Sequence, residues 1–372
     1  MKSFINFLKK TLIPSLVISF LVLVVVSPLG CRATIEGIHL LEGDFTVPKI
    51  TEVEVSNARS ITITCSKNAC IKNASLKCLS QEEDAQPLEK SQSDEKKRIT
   101  LVFPKETEIG LDYVLKGSLE DENGNSLLFR IPFTGFNERI PRLIFSEVRN
   151  ASDSKKMKHE YVEFYALTDG NLAGLEFVSA YDGEEKKYSF PPIEVTSGQF
   201  ITLHLRKPQN EEGKDAEEGM IDETGENLNL SFATDSCPTA RDLWVENTSA
   251  RIAPSDILIL RNSANGKLLD VLLFAETKTS AWNKKYASYI ELVEESGIWH
   301  DREGNVTCSI ESALCSDSMT TVTRSFSRQN ISSLVVDSYS VSADDWLLVG
   351  SKGGKTNECS PGLPNSSQAL PK

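Results

Sequence analysis

Residue types that perform catalysis are sparse in this chain and rarely adjacent. The four histidines are scattered singly, at His39, His159, His204 and His300. Four histidines so far apart in sequence argue against a histidine-rich metal site or a catalytic histidine network. Glu160 and Glu163 follow His159, but residues an odd number apart on a strand face opposite sides. Their spacing therefore favours one fold-stabilising and one exposed carboxylate over an acid–base pair, and His159 has no nucleophile nearby in sequence.

Other chemical motifs are also missing from the sequence. There is no G-x-S-x-G elbow, P-loop or H-E-x-x-H helix. The four tryptophans are interpreted as core residues rather than as a platform for carbohydrate, namely Trp244, Trp282, Trp299 and Trp346. We therefore predict a protein without catalytic residues, metal site or cofactor.

The expected role of the cysteines depends on whether the protein is exported. Apart from Cys31 there are seven, Cys65, Cys70, Cys78, Cys237, Cys308, Cys315 and Cys359. Their spacings match no zinc pattern, and in an exported protein they are candidates for disulfides. Cys308 and Cys315 lie close enough in sequence to staple a loop. Because seven is odd, at least one thiol is expected to stay free or to pair between chains.

The first thirty residues have the pattern of a secretory signal. Lys2, Lys9 and Lys10 precede an apolar stretch over residues 12–26, which ends in S-P-L-G-C at residues 27–31. The stretch contains Pro14 and is short for a membrane span. It resembles a bacterial lipoprotein signal with a relaxed lipobox, as in spirochaetal lipoproteins, in which Cys31 is acylated and becomes the first residue. Arg32 is not the aspartate of the familiar inner-membrane retention signal, which favours the outer membrane.

The net negative charge of the chain bears on which classes of partner it can bind. The chain has 40 basic and 53 acidic residues and a net charge of −13, which argues against a nucleic-acid binder. An acidic body is repelled by anionic headgroups, so acyl chains on Cys31 are expected to provide the membrane attachment.

From residue 49 onward the hydropathy pattern is typical of β-structure. Short alternating segments predict strands over residues 50–55, 60–64, 99–103, 112–119 and 127–133. The acidic run at 121–125 contains Asn123-Gly124 and predicts a hairpin turn rather than a calcium loop, because no EF-hand pattern follows. Residues 80–98 are polar and predict a solvated loop. Residues 113–125 resemble the strand and hairpin of bacterial immunoglobulin-like modules.

After a boundary near Pro141 the β pattern resumes. Strands are predicted at 142–148, 159–165, 172–179, 188–190, 200–205, 257–260, 268–274 and 345–349. Residues 207–226 form an acidic insertion, predicted to be a solvated loop. Residues 284–295 predict the one convincing helix, with Tyr286, Tyr289, Ile290 and Val293 on one stripe.

This second segment resembles a lamin tail domain, an immunoglobulin-like sandwich. The separated pieces that match, in order, are I-F-S-E-V (144–148), E-Y-V-E-F-Y (160–165), L-A-G-L-E-F (172–177), 191–205, Asp256 to Asp270, Ser325 to Arg328, and S-P-G-L-P-N (360–365). Ala166 stands where that family usually has Asn, and the insertion and helix enlarge the domain. The resemblance implies a binding or tethering module.

Together these features predict an all-β protein of two immunoglobulin-like β-sandwiches in tandem, the second enlarged by an acidic loop and one short helix. The expected organisation is a signal at 1–30, a tether at 31–45, sandwiches at 46–138 and 139–365, and a tail at 366–372. The expected function is a lipid-anchored, non-enzymatic envelope module that contacts a protein or glycan. The alternatives are an accessory or cryptic metal-dependent hydrolase of envelope polymers, and a purely structural spacer.

Overall fold

The computed structural model describes residues 44–81, 85–92, 97–153, 155, 158–208, 212, 214, 223, 228, 235–245, 251–317, 319, 321–334, 340–350, 359–366, 368 and 370. The predicted signal, Cys31, most of the tether and most of the acidic insertion lie outside these residues. None of the helices in the described part has the length and hydropathy of a membrane span.

The N-terminal part of the chain forms a sandwich of two antiparallel sheets. Its strands are β1 (Ile50–Asn57), β2 (Ser60–Cys65), β3 (Ala69–Cys78), β4 (Gln86–Pro87), β5 (Glu89–Gln92), β6 (Arg98–Val102), β7 (Asp112–Asp121) and β8 (Ser126–Thr134). The sheets have the strand orders β1-β2-β6-β5 and β4-β3-β7-β8. Ile63, Leu101 and Leu115 come from both sheets and meet in one buried cluster, so alternation along each strand produces the core.

The hairpin predicted between β7 and β8 is present. Asp121 accepts hydrogen bonds from the backbone N–H of Asn123 and Asn125, and Gly124 has φ +81°. Lys67 forms a 2.6 Å ion pair with the same carboxylate. The acid therefore closes a turn, as the sequence indicated.

The C-terminal part forms a larger sandwich. Its strands are β9 (Leu143–Arg149), β10 (Tyr161–Ala166), β11 (Gly170–Asn171), β12 (Leu175–Ser179), β13 (Tyr188–Ser189), β14 (Glu194–Val195), β15 (Phe200–His204), β16 (Arg241–Trp244), β17 (Asp256–Asn262), β18 (Leu268–Ala275), β19 (Leu314–Cys315), β20 (Ser325–Arg328) and β21 (Trp346–Val349). A six-stranded sheet has the order β16-β15-β10-β9-β20-β21, and a five-stranded sheet has the order β13-β12-β17-β18-β19. The short β11 and β14 pair with each other.

Aromatic side chains fill the space between these two sheets. Phe145 and Phe164 from the six-stranded sheet make edge contacts with Phe177 from the five-stranded sheet, each at 6.2 Å between ring centres. The helix α1 (Ala287–Ser296) follows a 3-10 turn and ends at Gly297, whose φ is +66°. Its predicted apolar stripe packs on this core. The predicted fold class is thus confirmed: two β-sandwiches in tandem, of which the second carries one short helix among its described residues.

Two parts of the first sandwich differ from the sequence prediction. The ten-residue strand β3 was not predicted, because a register shift between Ile71 and Asn73 breaks its alternation. The solvated loop predicted for residues 80–98 is partly wrong, since β4 and β5 lie within it and β5 pairs with β6. Backbone hydrogen bonds hold this edge strand without a continuous apolar face.

Candidate functional site

A row of polar residues lies on the six-stranded sheet, on the face opposite the aromatic core, and it includes Glu163, which the sequence singled out. Strand register aligns Glu147, Glu163, Thr202 and Asp242 in one row across β9, β10, β15 and β16. All four side chains are buried. We call this row the acid row. Such a line of buried polar groups demands hydrogen-bond partners.

A β-bulge supplies one partner of the acid row. The register between β9 and β10 shifts so that Glu163 faces Glu147 while Phe164 faces Phe145, which leaves Ser146 extra. The Ser146 hydroxyl donates to Glu163 Oε1 at 2.6 Å. Bulges re-aim a side chain in this way.

Further partners of the acid row come from the C-terminal segment 359–366 and from Ser325, whose hydroxyl donates to Glu147 Oε1. The backbone N–H of Gly362 donates to Glu163 Oε2 at 2.6 Å, and that of Ser360 donates to Glu147 Oε2 at 3.3 Å. Asn365 Nδ2 donates to the Ser327 hydroxyl at 3.1 Å. The buried carboxylates therefore tie the end of the chain to the outer face of the sheet.

The carboxyl groups of Glu147 and Glu163 have raised pKa values. Burial raises the pKa of Glu147, and burial followed by the charge of Glu147 holds the pKa of Glu163 well above its usual range. Two neighbouring acids that water does not reach disfavour each other's charged form, which is the physical reason for both raised pKa values.

A second row, next to the acid row, is built from stacked rings and an arginine. Register aligns Arg149, Tyr161, His204 and Trp244. The Arg149 guanidinium lies 4.5 Å from the centre of the Tyr161 ring, and the His204 and Trp244 rings stack 3.8 Å apart. His204 Nε2 lies 2.6 Å from Asp242 Oδ1. Stacking and ion pairing fill this row with internal contacts.

Glu160 and Glu163 are not brought together, which agrees with their spacing, but both are buried, so the prediction that one of the two carboxylates is exposed is wrong. Glu160 Oε2 accepts from the backbone N–H of Arg251 at 2.8 Å, and burial raises its pKa to about 6. The ring of His159 is half-buried, and burial together with Arg206 lowers its pKa. In the described part of the chain neither ring nitrogen of His159 has a hydrogen-bond partner, so no serine or cysteine forms a dyad with it there.

The remaining predicted residues are placed as follows. Trp244, Trp299 and Trp346 are buried, and the half-buried Trp282 donates to the Cys308 carbonyl at 2.6 Å, which agrees with a core role. Among the described residues, no group of three or more His, Cys, Asp or Glu side chains is arranged to hold a metal ion.

The disulfide proposed between Cys308 and Cys315 is not formed in the structure. Cys308 is a buried thiol beneath α1, and Cys315 is an exposed thiol on β19. Close spacing in sequence did not produce a pair because the 3-10 turn Ile310–Ser312 leads the chain from the core to the surface. None of the other five described cysteines forms a disulfide.

Sequence reasoning missed Glu147 and the covering role of residues 359–366. Glu147 and Glu163 hold corresponding places in two strands that were both recognised, so pairing those strands would have revealed the acid row. No local signal indicated that the end of the chain folds back across 213 residues to Glu147 and 199 residues to Glu163.

Comparisons with known proteins give a family but no activity. A family model described as a "protein second domain" matches residues 141–348. A relative from Treponema pallidum (strain Nichols), described as an uncharacterized protein, is 31% identical over 176 residues, which are 47% of this chain and 42% of the relative. The chain thus spans less than half of that relative's length.

Two solved structures are remotely similar. The N-terminal part of the bacterial S-layer protein SbsC is 17% identical with a TM-score of 0.23, covering 61% of this chain and 44% of that one. A DUF4876 family protein from Bacteroides thetaiotaomicron VPI-5482 is 10% identical with a TM-score of 0.27, covering 77% and 90%. TM-scores this low carry no argument about function. The family model, in contrast, spans more than half of the chain, and the chain belongs to the family described as a protein second domain.

Proposed function

We propose that the protein is a lipid-anchored, non-enzymatic module of the cell envelope, whose lamin-tail-like second sandwich presents a binding surface. The acid row carries this proposal. Its carboxylates are covered by residues 359–366 and are already hydrogen-bonded by Ser146, Ser360 and Gly362. Carboxyl groups that are hydrogen-bonded within the protein in this way stabilise a fold, whereas the buried Thr202 hydroxyl of the same row has no hydrogen-bond partner in the described part of the chain.

The anchor part of the proposal rests on the N-terminal sequence. The basic residues, the apolar stretch and the Gly30-Cys31 junction together support export and acylation at Cys31. Two or more acyl chains hold a protein stably at a membrane, whereas one holds it marginally. We infer the outer membrane because Arg32 is not the aspartate of the inner-membrane retention signal.

We propose one edge of the second sandwich as the surface for the protein or glycan partner. The strand β21 is the last strand of the six-stranded sheet, so its outer edge pairs with no named strand. Leu347 on β21 and Leu363 in the covering segment are 47% and 50% exposed. Register places Leu347 opposite Ser327, to which Asn365 is bonded. An open edge beside exposed leucines is a surface that a partner strand or loop can cover.

Protease shaving tests where this surface faces. Intact cells, detergent-opened cells and cells producing Cys31→Ala protein are treated with protease, and the fragments are followed with antibody. Cleavage on intact cells would direct the partner search to extracellular ligands, whereas protection until detergent is added would direct it to periplasmic ones. Full release of the wild-type protein by a salt wash, without detergent, would contradict the lipid anchor.

The hydrolase alternative has one supporting observation, namely the two adjoining carboxyl groups with raised pKa values. It requires the C-terminal segment to move away from Glu163. Its test is hydrolysis of envelope polymers with and without divalent cations, comparing wild type with Glu163→Gln, Glu160→Gln and His159→Ala. Activity lost in Glu163→Gln at unchanged stability would replace our proposal.

A further inference from the structure

One face of the first sandwich concentrates positive charge in an acidic protein. Lys77 on β3, Lys116 on β7 and Arg130 on β8 are exposed on the outer side of the sheet β4-β3-β7-β8. Register places Lys116 opposite Arg130 and beside Ser75, two residues from Lys77. We call these three residues the basic face.

The described part of the chain does not neutralise the basic face. Within the described residues none of the three cations forms an ion pair, whereas Lys72 on the same sheet is paired with Glu120 at 2.7 Å. Asp112, the other acid on this side, accepts from the Thr134 hydroxyl at 3.1 Å. Like charges placed opposite each other on neighbouring strands destabilise a sheet. The repulsion between the cations of the basic face is offset if an anion outside the protein binds to them.

An exposed apolar side chain accompanies the charges. Leu128 on β8 lies on the same side as Arg130 and is 83% exposed. A large apolar side chain beside several cations is the combination that binds a membrane surface, because headgroup phosphates meet the cations while the apolar group enters the interface.

The N-terminal end of the first sandwich lies close to the same sheet. Asn125, in the turn that begins β8, donates through Nδ2 to the carbonyl of Asp44 at 2.7 Å. Only the 12 residues 32–43 separate Asp44 from Cys31, and they span at most about 43 Å. Arg130 is five residues from Asn125 along β8, or roughly 17 Å. An acyl anchor on Cys31 would therefore hold the basic face within reach of the bilayer.

We propose that the basic face, Lys77, Lys116 and Arg130, with Leu128, docks on the anionic phospholipid surface of the membrane that holds the anchor. This inference rests on the proposed lipid anchor. Anchoring supplies a high effective concentration, so a face with few charges is sufficient to orient the protein. The β8 edge lies against the lipid, and the second sandwich remains free for its partner.

Lysine footprinting tests the docking with the lipidated full chain. The protein is reconstituted in vesicles of phosphatidylcholine alone or with about 30 mol % phosphatidylglycerol. Exposed amines are acetylated briefly, and each lysine is quantified by mass spectrometry. Lys77 and Lys116 are expected to react about tenfold more slowly on the anionic vesicles, whereas Lys267 and Lys284 of the second sandwich should react equally on both. About 0.5 M salt should abolish the difference, because it shortens the screening length.

Variants and the same digest separate the possible failures. Arg130→Glu leaves both reporter lysines in place and should restore their reactivity, while Lys155→Glu in the second sandwich should not. Equal reactivity of Lys77 and Lys116 on both vesicles would overturn the docking. Slow reactivity in solution that depends on protein concentration would instead assign the face to a second copy. The mass of the Cys31 peptide shows independently whether Cys31 is acylated. If it is not, the chain is added to preformed vesicles, and lysine reactivity on the neutral and anionic vesicles is compared to test the docking.

Discussion

Replacing Asp270 by Asn should destabilise the second sandwich by about 3–5 kcal/mol. Asp270 on β18 and Arg328 on β20 are fully buried and form a 2.6 Å ion pair that joins the two sheets. The carboxylate also accepts from the Phe145 N–H at 2.7 Å, and the guanidinium donates to the Phe145 carbonyl at 3.1 Å. Asn keeps the shape of Asp but leaves the Arg328 charge buried without a counter-charge, and that desolvated charge is the source of the cost.

Tryptophan fluorescence in urea is the appropriate assay, since all four tryptophans lie in the second sandwich and the first contributes none. With a denaturant slope of about 2–3 kcal/mol/M, the midpoint of unfolding should fall by roughly 1 to 2.5 M. Arg328→Met combined with Asp270→Asn should cost less than the sum of the single changes, because the double variant contains neither unpaired charge.

A matched control is present in the same sandwich. Arg302 and Asp344 form a 3.2 Å pair whose side chains are 80% and 63% exposed. Asp344→Asn should cost below about 1 kcal/mol. If Asp270→Asn costs no more than this control, or if the single changes add fully in the double variant, the assignment of the pair as an essential link between the sheets is refuted.

Three further predictions concern the acid row and the thiols. The pKa of Glu163 is raised above its ordinary value of 4.5 in the folded state, so the folded state binds the proton more tightly and the contribution of Glu163 to stability should fall as pH rises above about 4.5. Urea titrations at pH 5 and pH 7 measure this loss of stability, which should be smaller in Glu163→Gln. An unchanged loss of stability in the variant would contradict the assignment. A Cβ at Gly362, whose φ is +82°, would lie 2.4 Å from the Cβ of Cys237. Gly362→Ala should therefore lower the free energy of unfolding by about 1–3 kcal/mol and speed the alkylation of Cys237. Unchanged alkylation would show that residues 359–366 do not cover Cys237. Cys315 should alkylate in the folded protein, while Cys308, whose pKa burial raises to about 12, should react only after unfolding; a Cys308–Cys315 disulfide would instead block both until reduction.

The sequence was informative where side-chain periodicity is local. Strands such as β1, β7 and β18 alternate or carry continuous apolar runs, and the glycine turns that join neighbouring strands were recognisable. The helix α1 followed from its 3.6-residue stripe. The strand β3 was missed because its bulge changes the face on which its apolar residues lie.

The candidate site was less accessible from sequence because its contacts are distant along the chain. Glu147 and Glu163 become neighbours only through strand register, and Gly362 reaches Glu163 across 199 residues. The same holds for Asp270 and Arg328, which were recognised separately in two matching pieces. Hydropathy describes which face of a strand is apolar, but it does not reveal that a polar face is buried by another segment.

The fate of Cys31 tests the central claim most directly. Wild-type and Cys31→Ala proteins are partitioned between aqueous and detergent phases, and their N-terminal peptides are identified by mass spectrometry. We expect the wild-type chain to begin at an acylated Cys31 and to enter the detergent phase, and the variant to be neither cleaved at that bond nor acylated. A variant that is processed and anchored like the wild type would contradict the lipid-anchored account.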